Sequence, residues 1–538
     1  MHARQINWAA ILSTAAAVVC AWVVFTWYLS LDRINVRERP HQIAWSMVSH
    51  ALRSEGVPAG VSLQARQYYR LGIQKLGSWC LREFGGTYPA LLSYQYAFLF
   101  LLLVSIGAFA WRLGGPLAGA LAPWLALFAP LTLGLAITPD DQLILQALVC
   151  AALALVVWSD QPRTQGLAWL SALPVFIGLH LSAHETNATI MLGTYTVGTA
   201  GIIGWQSMQR SQLRLDRKHG LASIPWPVAG GVALIVIVAG YLSLPPASGA
   251  AYYQTELANA KYVSIWQDPW SLFSYFKLWF RFMAGPALGA AALISLVVCA
   301  RYKKGAAAVA GLWFFLPLLV LSLISKRQDW YLFYAAPGSY VLAAVGVMAL
   351  PQKRFRIGAA IALTALAFFA WVQAWRTVDP QIQMPYRGMF QISAPYIYPP
   401  RVNQPSPFAA WVDETCRGPG RRVLFILSSK LYMDRWALPL WHRHADLAPM
   451  DFFSKEPPEI NARCILMHFE RHPPVNDLRA GLALFRQDMQ DKYYPNFIPI
   501  SPAIDSKIAV LEKISDRYRY AGQMDGVSLF VPASGTAN

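Results

Sequence analysis

The sequence predicts an α-helical membrane domain with about eleven transmembrane helices, followed by a small soluble α/β domain. Three observations support this fold class. Hydrophobic residues make up 56% of the 538 residues and charged residues only 14%, which is too little charge to coat several soluble domains. Apolar stretches long enough to cross a bilayer, or nearly so, recur along residues 1–375. Short β-like runs and a helical pattern follow Arg376.

The apolar stretches define the predicted transmembrane helices. The fifth and the eighth are short for a full span, and the third contains two prolines, which a membrane helix tolerates when its neighbours satisfy the freed carbonyl groups. The eleven stretches are Trp8–Leu29, Leu91–Trp111, Leu117–Ile137, Gln142–Trp158, Gly166–Leu181, Ala188–Trp205, Val228–Leu244, Ala284–Cys299, Ala306–Ile324, Trp330–Leu350 and Ile357–Trp375.

The basic residues predict how these helices are oriented. The net charge is +17, yet the part after Arg376 carries 18 Lys and Arg against 16 Asp and Glu, so the excess lies in the membrane part. This distribution argues against a nucleic-acid partner, which would need one basic soluble face. Lys and Arg between transmembrane helices mark cytoplasmic loops, and here they follow spans six, eight and ten. We therefore expect a cytoplasmic N-terminus and a C-terminal domain on the outer side.

Two domains are predicted. Residues 1–375 form the membrane domain, with large outer loops at 30–90 and 245–283, and residues 376–538 form the outer α/β domain. Within the outer domain the pattern predicts three strands and one helix, at Arg422–Ser428, Ala462–Phe469, Val527–Val531 and Asp477–Tyr494.

Cys416 and Cys464 both lie in the predicted outer domain. An oxidising compartment allows them to form a disulfide that closes the domain. The alternative is two unpaired, buried thiols.

Acidic residues are concentrated at the predicted outer face. Twelve carboxylates precede Arg376, and the predicted topology places ten of them on the outer side. Acids close to a bilayer are costly and often functional, so we expect any chemistry at this face. Asp32 is one candidate, because it follows the outer end of the first span by two or three residues. The alternative role for Asp32 is that of an interfacial anchor.

Two further acidic sites lie in short outer turns. Asp140 and Asp141, in TPDDQ, could hold a divalent cation or act in acid–base chemistry, or they could cap the following helix. His184 and Glu185, in HETN, could ligate a metal, and the competing interpretation is a capped outer helix end. No other cofactor is indicated.

Lys326 and Arg327, in SKRQDW, are the basic pair of a short outer loop. They break the rule that basic residues face the cytoplasm, which favours an anionic partner such as a phosphate. A contact with lipid headgroups is the alternative.

Four stretches together resemble the GT-C superfamily of membrane glycosyltransferases. They are DRINVRERPHQIAWSMVSHALRSEG, LREFGGTYPALLSYQYAFL, LGLAITPDDQLILQALVCAALALVVW and SLISKRQDWYLFYAAPGSYVLAAVG. The nearest branch is similar to the dolichyl-phosphate-mannose protein mannosyltransferases, the lipid A aminoarabinose transferase and the rhizobial galacturonosyltransferases. One departure is that Arg33 follows Asp32, where the family often has Asp-Glu.

The resemblance implies a function and a set of roles. Members take a sugar from a polyprenyl-phosphate carrier and transfer it to a lipid, glycan or protein acceptor at the outer face of the membrane. The resemblance implies that Asp32 is the catalytic base. It also implies that the protein lies in a bacterial inner membrane. Lys326 and Arg327 would suit the donor phosphate, and Asp140, Asp141, His184 and Glu185 remain candidates for the acceptor or a divalent metal.

Two other classes of protein fit the composition. A transporter or flippase would perform no chemistry, but such proteins often contain inverted repeats with functional groups near the midplane, whereas here no repeat is evident and the acids lie at the rim. An envelope-assembly scaffold would need no catalytic cluster. Convergence of Asp32, Asp140, Asp141, Lys326 and Arg327 at one outer cavity would distinguish an enzyme from both.

Overall fold

The structure is a computed structural model that describes a defined part of the chain. These residues are 8–30, 34–35, 71–84, 88–129, 132, 135–136, 142–159, 164, 166–182, 185–212, 237, 273, 276, 279–280, 286–302, 304–322, 334–376, 397–398, 407–416, 422–427, 447–449, 462–469, 472–493, 501–524 and 526–533.

Helices dominate the described residues up to Arg376. They are α1 (Trp8–Ser30), α2 (Leu71–Phe84), α3 (Tyr88–Gly114), α4 (Pro116–Leu127), α5 (Gln142–Trp158), α6 (Gly166–Leu170), α7 (Ala172–Ser182), α8 (Glu185–Gln212), α9 (Pro286–Tyr302), α10 (Lys304–Ser322), α11 (Ala336–Ala349) and α12 (Lys353–Arg376). A two-residue strand, β1 (Ile34–Asn35), also lies in this part.

The observed helices confirm the mainly helical prediction, although several of them differ in length from the predicted spans. The span predicted at Leu117–Ile137 is interrupted after Leu127, ahead of Pro130, because a proline disfavours helical backbone in the residue before it. Beyond the proline, Thr132, Leu135 and Ala136 are again helical. The span predicted from Trp330 begins as a helix at Ala336, with Pro337 in its first turn, where a missing N–H costs nothing. Apart from Ile237, the predicted span Val228–Leu244 lies outside the described residues.

Apolar exposure distinguishes this part of the chain from a soluble helical protein. Within the described residues, Leu92–Gly114 and Lys353–Val372 are long and apolar enough to cross a membrane, and seven further apolar helices are shorter. α1 and α12 expose large side chains, among them Trp22 and Phe369, at 56% and 60% of their surface. Contiguous apolar surface of this kind is typical of a face that contacts lipid or a partner.

The chain divides into two compact units. The first comprises residues 1–30 and 95–397, and the second comprises residues 31–94 and 398–538. The boundary predicted after residue 375 stays a prediction.

α11 lies at the centre of the first unit. All fourteen of its residues are buried, and it packs against α4, α9 and α10. Small residues allow this close approach: Gly346 lies directly against Ser295 of α9, and Gly338 lies against the backbone of Trp313 and Phe314 of α10. The Trp313 indole N–H also donates to the carbonyl of Tyr334, at 2.9 Å, just before α11 begins.

Replacing Gly346 with alanine should destabilise the first unit. The added methyl group would clash with the side chain and the Cα atom of Ser295, and overpacking of this kind costs about 1–3 kcal/mol. Thermal unfolding of the protein in detergent should show a lowered midpoint for Gly346→Ala. Gly358→Ala on α12 is the matched control, because nothing lies within 4 Å of its added carbon. An equal or higher midpoint for Gly346→Ala would contradict the close packing.

The second unit contains a five-stranded mixed sheet. Its strands are β3 (Arg422–Leu427), β4 (Leu447–Pro449), β5 (Ala462–His468), β6 (Tyr518–Met524) and β7 (Val527–Pro532), and a two-residue strand, β2 (Ile397–Tyr398), precedes them in the chain. The order across the sheet is β4-β3-β5-β7-β6. β3 is parallel to β4 and β5, whereas β7 is antiparallel to β5 and β6. The α/β character predicted for the C-terminal part is thereby confirmed.

Helices cover this sheet. α14 (Leu478–Tyr493) and α15 (Ser501–Ile514) bury Leu482, Phe485, Ile508 and Leu511 in one apolar cluster with strand residues such as Ile465. A shorter helix, α13 (Pro407–Thr415), is followed directly by Cys416. Cys416 forms a disulfide with Cys464 of β5, with 5.8 Å between the two Cα atoms, so the bonded alternative is the one observed.

Candidate active site

Most of the predicted site residues lie outside the described part of the chain. This holds for Asp32, Asp140, Asp141, His184, Lys326 and Arg327. Glu185 is the first residue of α8, and its side chain is not described. The structure does describe the helices on either side of these positions. Their packing shows which helix termini lie at the same end of the bundle.

α1, α3 and α4 set the reference direction. Gly107 of α3 lies against Gly119 and Pro123 of α4, and Gly114 lies against Ala118, so these two helices are antiparallel. Gly115 has a φ of 94° and lets the chain reverse between them.

Thr14, near the start of α1, also contacts Gly107, which lies in the last third of α3. The start of α1 is therefore near the end of α3, and Ser30 lies at the opposite end of the bundle.

α5 and α8 point in the same direction as α3. The Trp158 indole N–H at the end of α5 donates to the carbonyl of Ala108 of α3, at 2.9 Å. Along α8, Gly198 contacts Leu153 and the Gln206 amide reaches the carbonyls of Val156 and Val157, so α5 and α8 run in parallel. The first residues of both helices consequently lie at the end of the bundle where α1 terminates.

α10 runs in the opposite direction. Gly305, next to its first residue, lies against the Trp205 indole near the end of α8. Ser322, the last residue of α10, therefore lies at the far end. We call this end the distal end and define it by Ser30, Gln142, Glu185 and Ser322. All the site positions predicted from sequence follow or precede one of these four residues within five positions in the chain.

Basic residues mark the opposite end of the bundle, which we call the basic end. α10 begins directly after α9, and α12 begins shortly after α11, whose Val345 lies against Gly114 at the end of α3. The basic end therefore contains Arg112 of α3, Arg301 of α9, and Lys353, Arg354 and Arg356 of α12. The Arg112 guanidinium lies 5.3 Å from the centroid of the Trp205 indole, a cation–π contact that holds the ends of α3 and α8 together.

Polar side chains are buried inside the bundle along α5. Gln142 and Gln146 are one turn apart and almost fully buried, and Gln142 is the first residue of the helix at the distal end. The Tyr340 hydroxyl of α11 lies beside Thr132 and within electrostatic reach of the Cys150 thiol, one turn further along α5. Buried amides are costly unless hydrogen-bonded, so a polar interior here needs an explanation.

Sequence reasoning missed this buried polar row. The spacing could have predicted it, because Gln142, Gln146 and Cys150 recur every four residues and share one face of α5. The spacing alone does not show that this face points into the bundle. The structure shows it, because α5 is buried along nearly all of its length.

No metal centre is evident among the described residues. Within the described ranges, no group of three or more His, Cys, Asp or Glu side chains could hold a metal ion. His180, near the predicted pair His184–Glu185, is exposed and packs against the Phe176 ring of its own helix in a tilted arrangement, with 4.2 Å between the ring centroids. Metal ligation by Asp140, Asp141, His184 or Glu185 stays a prediction.

Solved structures show which fold this is. ArnT from Cupriavidus metallidurans bound to undecaprenyl phosphate superposes with a TM-score of 0.56, covering 97% of this chain and 98% of that chain at 13% identity. The apo form of the same protein gives 0.53 at 14% identity over the same shares. The chain has the fold of ArnT.

Other comparisons add little to this result. An oligosaccharyltransferase from Archaeoglobus fulgidus gives a TM-score of only 0.44, at 10% identity, covering 84% of this chain and 69% of that chain. No protein-family model matches the chain, and no curated protein matches it in sequence. The predicted resemblance to GT-C proteins is thus confirmed through the fold.

The distal and basic ends should be reachable from opposite sides of the membrane. Cysteines introduced as Ser322→Cys and Arg354→Cys provide the test, because these residues end α10 and begin α12 at opposite ends of the bundle. In intact cells, a membrane-impermeant maleimide should label only one of the two variants, and lysis should expose the other. Labelling of both variants in intact cells would contradict the assignment of ends.

Proposed function

We propose that the protein is an integral membrane glycosyltransferase. It takes a sugar from a polyprenyl-phosphate carrier and transfers it, with inversion, to an envelope lipid, glycan or protein at the outer face of a bacterial inner membrane. The observation that carries this proposal is the likeness of fold to ArnT over 97% of the chain, because that relative binds undecaprenyl phosphate.

The two ends of the bundle support the orientation of this reaction. Lys and Arg accumulate on cytoplasmic loops, so the basic end faces the cytoplasm and the distal end faces outward. In the labelling experiment, Ser322→Cys is then the variant that reacts in intact cells. The C-terminal domain of residues 376–538 is periplasmic in this arrangement, where an oxidising environment preserves the Cys416–Cys464 disulfide.

Chain connectivity keeps the proposed site residues near the distal end. Asp32 is two residues beyond Ser30, and Lys326 is four residues beyond Ser322. These separations are short, because a fully extended chain covers at most about 3.6 Å per residue. Asp141 directly precedes Gln142, and His184 directly precedes Glu185. The outer rim of the bundle can therefore hold all of them.

The proposed reaction assigns one task to each group. Asp32 accepts the proton of the acceptor's nucleophile, which attacks the anomeric carbon of the sugar. The bond from that carbon to the phosphate oxygen breaks, and the polyprenyl phosphate leaves with the electron pair. Lys326 and Arg327 stabilise the charge of the leaving phosphate. Asp140, Asp141, His184 and Glu185 bind the acceptor or a divalent metal.

Lys326 and Arg327 form the proposed phosphate clamp, and replacing both should impair use of the donor. We expect Lys326→Gln combined with Arg327→Gln to lower turnover or apparent donor affinity at least tenfold, equivalent to about 1.4 kcal/mol. The measurement is transfer by the purified protein in nanodiscs from a panel of undecaprenyl-phosphate sugars, with products identified by mass spectrometry.

The control for the clamp is another Lys-Arg pair. Lys353→Gln combined with Arg354→Gln removes the same two charges at the basic end, where both side chains are exposed. This variant should keep its activity. A folded clamp variant as active as the control would place donor binding elsewhere.

Replacing the proposed base should impair chemistry and spare donor binding. Asp32→Asn keeps the shape of the side chain but removes the proton acceptor, and a general base typically contributes about 10²–10⁴-fold. We therefore expect turnover to fall by that factor while the affinity for the donor stays nearly constant.

Glu83→Gln is the matched control for the base, because Glu83 is an exposed acid on α2. It should change turnover by less than about twofold. Transfer by Asp32→Asn at nearly the wild-type rate would shift the role of base to Asp140 or Asp141.

A further inference from the structure

The second unit contains a pocket that the proposed transfer reaction does not use. It has a volume of about 260 Å³ and opens where three elements meet: the start of α14, the 3₁₀ turn Ser515–Arg517 and the edge strand β6. Pockets for drug-sized ligands measure about 300–1,000 Å³, so this one suits a ligand of one or two small rings.

An ion pair fixes one wall of the pocket. The Arg479 guanidinium, near the start of α14, contacts the Asp516 carboxylate at 3.2 Å and donates to the Ser515 hydroxyl at 3.3 Å. These bonds connect the helix to the 3₁₀ turn across the pocket. Arg479 and Asp516 are 60% and 82% exposed, so both keep hydrogen-bonding capacity toward the opening.

Further polar groups complete the rim. The Asp477 carboxylate accepts a hydrogen bond from the Ala480 N–H, at 2.6 Å, and thereby caps α14. Asn476 and Arg519 also line the pocket and are exposed. In the part of the chain that the structure describes, the Arg519 guanidinium has no ion-pair partner.

Aromatic rings form the apolar side. Tyr520 and Phe530 are paired across β6 and β7, with 5.9 Å between their ring centroids. Phe530 is fully buried, whereas Tyr518 and Tyr520 are half-buried and leave part of each ring open to the pocket. The Tyr518 hydroxyl donates to the Ala462 carbonyl at 2.7 Å, which fixes this ring against β5.

The charges of the lining cancel. The lining contains two arginines, Arg479 and Arg519, and two carboxylates, Asp477 and Asp516. A strongly anionic ligand would meet both carboxylates, and a cationic one would meet both guanidinium groups, so neither charge is favoured. The same groups supply donors and acceptors at short spacing beside aromatic surface, which is the combination that a neutral sugar ring requires, with its hydroxyl groups at the edge and C–H groups on its face.

We propose that this pocket binds a neutral saccharide through one or two of its rings. The site belongs to the second unit alone, so saccharide binding does not depend on the transferase reaction. That the saccharide is part of the acceptor glycan rests on the proposed function.

Binding to neutral oligosaccharides tests the proposal. The probe is an array of oligosaccharides built from glucose, galactose, mannose and N-acetylhexosamines, with glucuronic-acid-containing oligosaccharides and inorganic phosphate as charged competitors. The full-length protein is applied in nanodiscs, since many detergents carry sugar headgroups. We expect at least one neutral oligosaccharide to be retained and the charged competitors to have no effect.

Surface variants locate the binding site. Arg519→Gln and Asp516→Asn should each weaken retention at least tenfold, whereas Arg517→Gln should not. Arg517 is the matched control, because it is exposed and two residues from Arg519 but does not line the pocket. The inference is overturned if no neutral oligosaccharide is retained, if the variants bind as well as the control, or if phosphate or the acidic oligosaccharides displace the ligand.

The transferase proposal and the pocket can fail separately. Oligosaccharide binding without transfer from any polyprenyl-phosphate sugar would support the saccharide pocket and contradict the transferase proposal. Transfer without oligosaccharide binding would support the transferase proposal and contradict the saccharide pocket.

Discussion

The first unit depends on the burial of α11 against its neighbours. No residue of this helix faces the surface, and glycines at positions 338 and 346 bring its backbone directly onto α10 and α9. In a bilayer, lipid is as apolar as leucine, so helices associate through close van der Waals packing of small residues. Because α11 also packs against α4, this one contact surface fixes the relative positions of helices from both halves of the bundle.

The direction of each helix then determines where chemistry can occur. Local contacts such as Trp158 to Ala108 and Gly305 to Trp205 place the ends of α1 and α10 and the starts of α5 and α8 at one end. The candidate site positions therefore flank one end of the bundle, and the described basic residues of α3, α9 and the start of α12 lie at the other end. The buried glutamines of α5 extend polar groups from the distal end into the interior.

The second unit is stabilised by an apolar core between a sheet and helices. Its mixed sheet is covered by α14 and α15, whose apolar residues form a single cluster with the strands, and a disulfide connects β5 to the residue after α13. A sheet in water must bury at least one face, so this unit has a conventional apolar core. Its pocket lies at the edge of the sheet, where ion-paired and aromatic side chains meet. The pocket is lined by residues of the second unit, whereas the candidate site positions flank helices of the first unit.

The sequence by itself determined the class of fold and the main elements, because hydrophobic length and period are local properties. Gln142–Trp158 was predicted with the observed bounds, and β3, β5, β7 and α14 within one residue at each end. Strands β4 and β6 and helices α13 and α15 were missed: β4 is only three residues long, and β6 is a partly exposed edge strand. Asp32, Lys326 and Arg327 were candidates from their position and charge, the resemblance supplied the role of base for Asp32, and these roles stay predictions.

Tertiary structure decided what depends on distance between remote residues. The sequence alone could not distinguish a disulfide between Cys416 and Cys464 from two free thiols. The tertiary structure brings their Cα atoms to 5.8 Å and shows the bond. The pocket joins residues 476–479 to residues 515–520 and Phe530, and no local pattern indicates that these segments meet. Which helix ends share one rim follows from packing, because a sequence records the length of each helix but not its neighbours.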